Sequence, residues 1–181
     1  MEAETIHKPG PWNTAIKWGV IGGLVSVLIS YLGSLNVDWT DMQAVEDSRK
    51  GMMQYLGYAI LLVCIIMAQI EHRRKDLGGF ASYGRMVGVA AIASLAYGVL
   101  MGVYMYIFAG FLHPDFQQMI LESTAQQMPE NVSPEQEEQT LKIMRMTTTP
   151  GAFAFWMIIG SGFVGLIMGL ISSIFIQKNA E

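Results

Sequence analysis

Four long stretches of this chain carry no Asp, Glu, Lys or Arg. They are Trp18 to Val37, Gly51 to Ile70, Met86 to Leu112 and Met146 to Gln177. An α-helix rises about 1.5 Å per residue, so a run of about 20 residues covers the roughly 30 Å hydrocarbon core of a bilayer. Charged side chains are costly in that core. We therefore predict an all-α polytopic membrane protein with four transmembrane helices.

The composition excludes an ordinary soluble domain. Of 181 residues, 52% are hydrophobic and only 14% are charged, and the mean hydropathy is +0.36. One membrane domain, residues 14–177, then uses nearly the whole chain, between an N-terminal tail of residues 1–13 and a C-terminal tail of residues 178–181. The predicted spans cover about residues 16–37, 51–70, 85–112 and 151–177.

The distribution of basic residues predicts the orientation, because cytoplasmic loops are enriched in Lys and Arg. One side of the four spans holds seven bases, including three in the short segment Glu71–Asp76, which we interpret as a compact turn. The other side holds four: Arg49, Lys50, Lys142 and Arg145. We therefore predict that both termini are cytoplasmic. The bases assigned to that side are Lys8, Lys17, Arg73, Arg74, Lys75, Arg85 and Lys178.

Small residues recur four positions apart in three of the four spans. Such rows let helix backbones approach closely in lipid, where no hydrophobic force drives helices together. The row in the third span also includes Gly84 and Gly88, whereas the second span has no row and is predicted to pack loosely or at the edge. The pattern leaves open whether the rows pack within the bundle or between copies. The predicted helix-packing residues are Gly19, Gly23, Ser26, Gly98, Gly102, Gly165 and Gly169.

The segment between the third and fourth spans, residues 113–150, predicts an extramembrane helical hairpin. Ser133 with Gln136 three residues later forms a capping box around Pro134, so a helix should run from Pro134 to about Thr147. An apolar stripe before it is predicted to pack on Leu141 and Met144. The acidic tip is a candidate surface for a partner, formed by Glu130, Glu135, Glu137 and Glu138.

The sequence offers no motif for catalysis or cofactor binding. No span has an ionisable residue at its centre, which argues against a proton-coupled transporter. The three histidines lie far apart in sequence, and the only cysteine, Cys64, cannot form an intrachain disulfide. We predict no catalytic residue, no metal site, no cofactor and no nucleic-acid partner.

Several motifs together resemble a known family. They are the segment Gly78-Gly79-Phe80-Ala81-Ser82-Tyr83-Gly84, the segment His113-Pro114-Asp115-Phe116, and Pro150-Gly151 before a Gly-rich last span. In this order they resemble small four-helix inner-membrane proteins of Gram-negative bacteria, a family described only as a domain of unknown function. The resemblance covers roughly residues 14 to 177. It implies a bacterial inner membrane with the insert in the periplasm, and it implies no activity.

The leading functional hypothesis is a non-enzymatic membrane protein. In this hypothesis the chain acts as a scaffold or accessory subunit that binds other integral membrane proteins or a second copy of itself among the membrane lipids. The alternative is a transporter or channel component, with Tyr97, Met101 and Tyr104 on one face of the third span lining a path. A membrane enzyme ranks third, because no nucleophile with a base, pair of acids or metal cluster can be assembled on one side.

Overall fold

The computed structural model describes residues 10–35, 37, 52–129 and 133–177. Predictions for Lys8, Arg49, Lys50, Glu130 and Lys178 lie outside these residues. The described part is mainly helical, and widened π-helical turns at His72–Asp76 and Phe108–Leu112 prolong the second and third helices. The helices are α1 (Trp12–Ser34), α2 (Met52–Glu71), α3 (Tyr83–Ile107), α4 (Phe116–Gln126), α5 (Pro134–Thr147) and α6 (Pro150–Ile176).

Four helices, α1, α2, α3 and α6, are long and apolar enough to cross a membrane, which confirms the predicted fold class. The interpretation of Glu71–Asp76 as a turn is wrong, because these residues continue the helix of α2. The chain reverses just beyond, where Gly78 and Gly79 have φ values of 64° and 101°. Residues with a Cβ rarely adopt such angles, so the two glycines permit the reversal.

The four long helices form a bundle centred on α2 and α3. Each of these two contacts the other and both outer helices, and α3 packs most extensively on α6 and α1. The prediction that the second span lies at the edge is therefore wrong, whereas its backbone contacts are the least extensive of the four long helices, as looser packing requires. Its Leu61, Ile65 and Ala68 are buried. The physical reason is that neighbouring helices present small residues toward α2, so its larger side chains fill the space, as Cys64 does beside Gly22.

Small side chains face the interior of the bundle, and many large apolar side chains face outward. Ala90, Ala93 and Ser94 of α3 are almost fully buried, whereas Phe163 and Phe175 of α6 are 65% and 81% exposed. This distribution fits helices in lipid, where an apolar outer surface carries no cost and close packing depends on small residues.

Polar contacts show which helix ends lie together. Thr14 at the start of α1 donates to Asp76 after α2, and Arg73 donates to the carbonyl of Ile176 at the end of α6. Gln69 likewise donates to the carbonyl of Met86 near the start of α3. We call this end of the bundle the polar end. Helix α1 therefore begins at the polar end, and helix α6 ends there.

The insert between α3 and α6 consists of α4 and α5, whose contact includes a hydrogen bond of 2.8 Å from Gln117 Nε2 to the carbonyl of Arg145. The predicted capping box is confirmed, and α5 begins at Pro134 and ends at Thr147 as expected. The apolar side of α4 packs on the end of α3, because Phe116 is buried against Phe108 and Ala109. We call the end of the bundle that carries the insert the insert end. The insert is anchored there mainly through α4.

Candidate functional site at the polar end

The predicted packing residues of α1 lie in tight contacts within the bundle. A Cβ added to Gly19 would collide with the carbonyl of Ala93 in α3, and one added to Gly23 would lie 2.8 Å from Leu100. Ser26 is buried and accepts a hydrogen bond of 3.0 Å from the hydroxyl of Tyr97. The α1 row therefore packs on α3.

The predicted packing residues of α3 and α6 face one another. A Cβ on Gly98 would lie 3.0 Å from Ser161, and one on Gly102 would lie 2.9 Å from the carbonyl of Ala154. Added Cβ atoms on the two predicted glycines of α6, Gly165 and Gly169, would collide with Ser94 and Ala90 of α3, respectively. The question that the sequence left open is thus answered for these rows: they pack within one bundle. In contrast, Gly84 and Gly88 have open space beside them.

The acidic residues predicted as a partner surface lie in the insert, away from the packing contacts of the long helices. Glu135, Glu137 and Glu138 are exposed on the first turns of α5. None of the three forms an ion pair within the described part of the chain. Glu130 falls outside the described residues.

The polar end holds an ion cluster that sequence analysis did not assemble. The Glu71 carboxylate accepts bonds of 2.6 Å from Lys17 Nζ and 2.6 Å from Trp18 Nε1, both on α1. Lys75, one helical turn further on, donates to its other oxygen at 3.0 Å. Because the Glu71 side chain is only 16% exposed, this carboxylate joins α1 to α2 in a partly desolvated position.

A fully buried histidine lies one residue further along α2. His72 Nδ1 is 2.6 Å from Asp76 Oδ2, which also accepts a bond of 2.8 Å from Thr14 Oγ1. Arg85 Nε of α3 lies 3.4 Å from His72 Nε2 and can only donate. The hydrogen-bond pattern therefore assigns His72 the neutral tautomer with its proton on Nδ1, which is aimed at Asp76.

A second buried network joins α2 to α3 and α6. Gln69 is fully buried, and its Nε2 donates to the carbonyl of Met86 at 3.1 Å and to Ser173 Oγ at 2.9 Å. Its Oε1 accepts a bond of 2.8 Å from Ser172 Oγ. Both donors and the acceptor of the amide are thus satisfied, as a buried polar group requires.

One helical stripe of α2 and the π-helical turn after it supplies the polar side chains at the centre of these networks. Gln69, His72 and Asp76 are three and four positions apart, so they fall on the same face. This spacing was visible in the sequence, but it lay across the boundary at which the charge-free run ends. The partners Thr14, Arg85 and Ser172 lie on three other helices, and only the tertiary structure identifies them.

The chemistry of this site is hydrogen bonding and charge pairing. Within residues 10–35, 37, 52–129 and 133–177, no three His, Cys, Asp or Glu side chains are placed to hold a metal ion. Tyr97 and Met101, proposed to line a path, are buried and pack with Leu61, Ile65 and Ala90. They fill the interior of the bundle rather than line an opening.

No curated protein and no solved structure matches this chain. One family model does match, over residues 17–178, and its description is "Protein of unknown function (DUF4199)". The match covers α1 from Lys17 onward, the other three long helices and the insert. The resemblance inferred from the sequence is therefore confirmed at the level of a domain of unknown function. The chain therefore belongs to the DUF4199 family.

Proposed function

We propose that this protein is a non-enzymatic accessory subunit of a bacterial inner membrane, and that its insert binds another membrane protein. The observation that carries the proposal is that α5 buries no residue within the described chain. A helix of 14 residues is marginal in water by itself. Its capping box satisfies the first turn, and Gln117 of α4 donates to the carbonyl of Arg145 in the last turn.

The two halves of α5 differ in the partner chemistry that they offer. The first turns carry the exposed acids Glu135, Glu137 and Glu138. In the second half, Ile143 and Met146 are 62% and 64% exposed. Exposed apolar side chains beside a charged rim are typical of a docking surface. A partner with a basic patch next to an apolar one would match this helix.

The glycine rows support the same assignment by elimination. Apart from Gly84 and Gly88, which have open space beside them, the predicted glycines of α1, α3 and α6 face other helices of the same bundle and are already occupied. Close helix packing through these rows is therefore not free to recruit a partner. Of the three residues proposed to line a transport path, Tyr97 and Met101 are buried in the core and Tyr104 is half-buried beside Phe108, which supports the transporter alternative less.

Co-purification from mild detergent tests the proposal. Replacing residues 118–142 by a Gly/Ser linker should leave the bundle folded and remove the co-purifying partner. The triple variant Glu135→Gln, Glu137→Gln and Glu138→Gln should weaken co-purification and make it less sensitive to salt, because screening acts on the lost charges. We call the exposed side chains of Glu135, Glu137, Glu138, Ile143 and Met146 the α5 surface. Glu122→Gln on α4 is the matched control, since this acid is also exposed but lies outside the α5 surface.

Partner retention by the linker variant would contradict the proposal. The binding surface would then lie on the lipid-facing sides of the long helices. Absence of any partner, with a monomeric protein at all detergent concentrations, would favour the transporter alternative instead.

Thiol labelling tests the proposed orientation, in which the polar end is cytoplasmic and the insert periplasmic. Ser82 and Gln139 are exposed at opposite ends of the structure, and neither side chain makes a capping bond. In a Cys64→Ala background, Gln139→Cys should react with an impermeant reagent in intact spheroplasts, whereas Ser82→Cys should react only after lysis. The opposite labelling pattern would reverse the orientation.

A further inference from the structure

We propose that three basic side chains at the polar end, Lys17, Arg74 and Lys75, bind the phosphate of an anionic phospholipid headgroup. We call these three residues the basic rim. The proposal concerns a different surface from the α5 surface, and the two can be tested separately.

The length of α2 places the basic rim at the depth of the headgroups. The helix contains 20 residues from Met52 to Glu71, which at about 1.5 Å per residue covers roughly the 30 Å hydrocarbon core. The π-helical turn His72–Asp76 follows directly. Arg74 and Lys75 therefore lie beyond the hydrocarbon, where lipid phosphates are found.

The basic rim retains hydrogen-bond donors that the protein does not use. Lys17 and Lys75 each donate one bond to Glu71, and an ammonium group has three donors. Arg74 is exposed, and its guanidinium forms no hydrogen bond or ion pair with the described part of the chain. Two lysines share one carboxylate, so positive charge and free donors remain for a phosphate.

The other basic residues of this end already have partners inside the protein. Arg73 caps the carbonyl of Ile176 at 2.6 Å, and Arg85 contacts His72. The described residues of the polar end include five bases and only two acids, so the local field attracts anions. The basic rim is the part of this positive charge that faces outward.

Aromatic side chains at the same end fit a membrane interface. Lys17 Nζ lies 5.2 Å from the ring of Trp18, and exposed Phe80 and Tyr83 frame the Gly78-Gly79 reversal. Trp and Tyr are enriched at the headgroup level, where basic side chains interact with anionic lipids. Charge and aromatic flanks thus favour a lipid headgroup over a soluble anion.

The test uses the full chain in dodecyl maltoside and measures thermal unfolding with added dioleoyl phosphatidylglycerol or dioleoyl phosphatidylcholine. The anionic lipid should raise the Tm more than the zwitterionic lipid, because a ligand of the folded state stabilises it. In the double variant Arg74→Gln and Lys75→Gln, apparent lipid affinity should fall about fivefold for each base removed. Lys142→Gln with Arg145→Gln at the insert end is the matched control and should retain the full response.

Three results would overturn the proposal: equal Tm shifts with both lipids, an undiminished response in the double variant, or an equal loss in the control. A response to inorganic phosphate equal to that of the anionic lipid would also overturn it. Because Lys75 also pairs with Glu71, Arg74→Gln alone decides the outcome if the double variant does not fold. Arg74 forms no hydrogen bond or ion pair with the described residues, so its lipid response can be read directly.

Discussion

At the polar end of the bundle the acids Glu71 and Asp76 are held by donors from other parts of the chain, whereas Glu135, Glu137 and Glu138 of the insert are exposed. Both regions contain acids at helix ends. The difference is that at the polar end all four long helices contribute polar groups to one place. In the insert, α4 packs on α5 and on the end of α3, and α5 buries no residue.

The charged side chains of the two regions have different roles. Charge pairs in a partly desolvated site fix the relative positions of helices, while exposed charges contribute little to stability. The polar end therefore has the character of a structural clamp with a basic outer rim. The insert has the character of an exposed surface, because α5 buries no residue of the described chain.

The largest expected loss of stability distinguishes a tightly packed glycine of α6 from a glycine of the same helix that has open space beside it. Gly165→Leu should destabilise the protein by about 1–3 kcal/mol, because any Cβ at this position collides with Ser94. Gly151→Leu, at the insert end of the same helix, should have little effect, because nothing lies within 4 Å of its added Cβ. Thermal unfolding in detergent measures both. Equal stability of the two variants would show that the α3–α6 contact is not tight.

A smaller loss of stability is expected when one glutamine is replaced in each region. Gln69→Leu removes the bonds to Met86, Ser172 and Ser173, and should cost about 0.6–1.7 kcal/mol, the range for hydrogen bonds between membrane helices. Gln117→Leu loses only an exposed bond to the carbonyl of Arg145 and should change stability by less than about 0.5 kcal/mol. Equal losses for the two variants would remove the distinction between a clamped end and an open one.

The smallest effect is a pH dependence at the insert end. Burial lowers the pKa of His113 from its ordinary value of 6.5, and its ring lies 4.7 Å from that of Phe108. Below pH 6.5 the unfolded state binds the proton more readily, so His113 should reduce stability as the pH falls and should have no effect well above that value. The effect is small because the side chain is only half buried. His113→Gln should abolish this part of the pH dependence in unfolding curves between pH 7.5 and 5, and an unchanged dependence would contradict it.

The features that the sequence predicted correctly are local ones. Charge-free runs predicted the four long helices, and Ser133 with Gln136 predicted the start of α5. It ended the second span at residue 70, whereas that helix continues to Asp76. Charges do not end the helix there because Glu71 and Asp76 accept hydrogen bonds from α1 and Arg73 donates to the carbonyl of Ile176.

The sequence by itself determined the helical class, the four apolar lengths and the capping of α5, because these depend on residues within about one helical turn of each other. Only the tertiary structure decided that the glycine rows pack inside one bundle, that α2 contacts all three other long helices, and that His72 meets Arg85 and Asp76 meets Thr14. Those outcomes depend on which helix faces which. Periodicity shows that a face exists, but the partner of that face is selected by the packing of all four helices together.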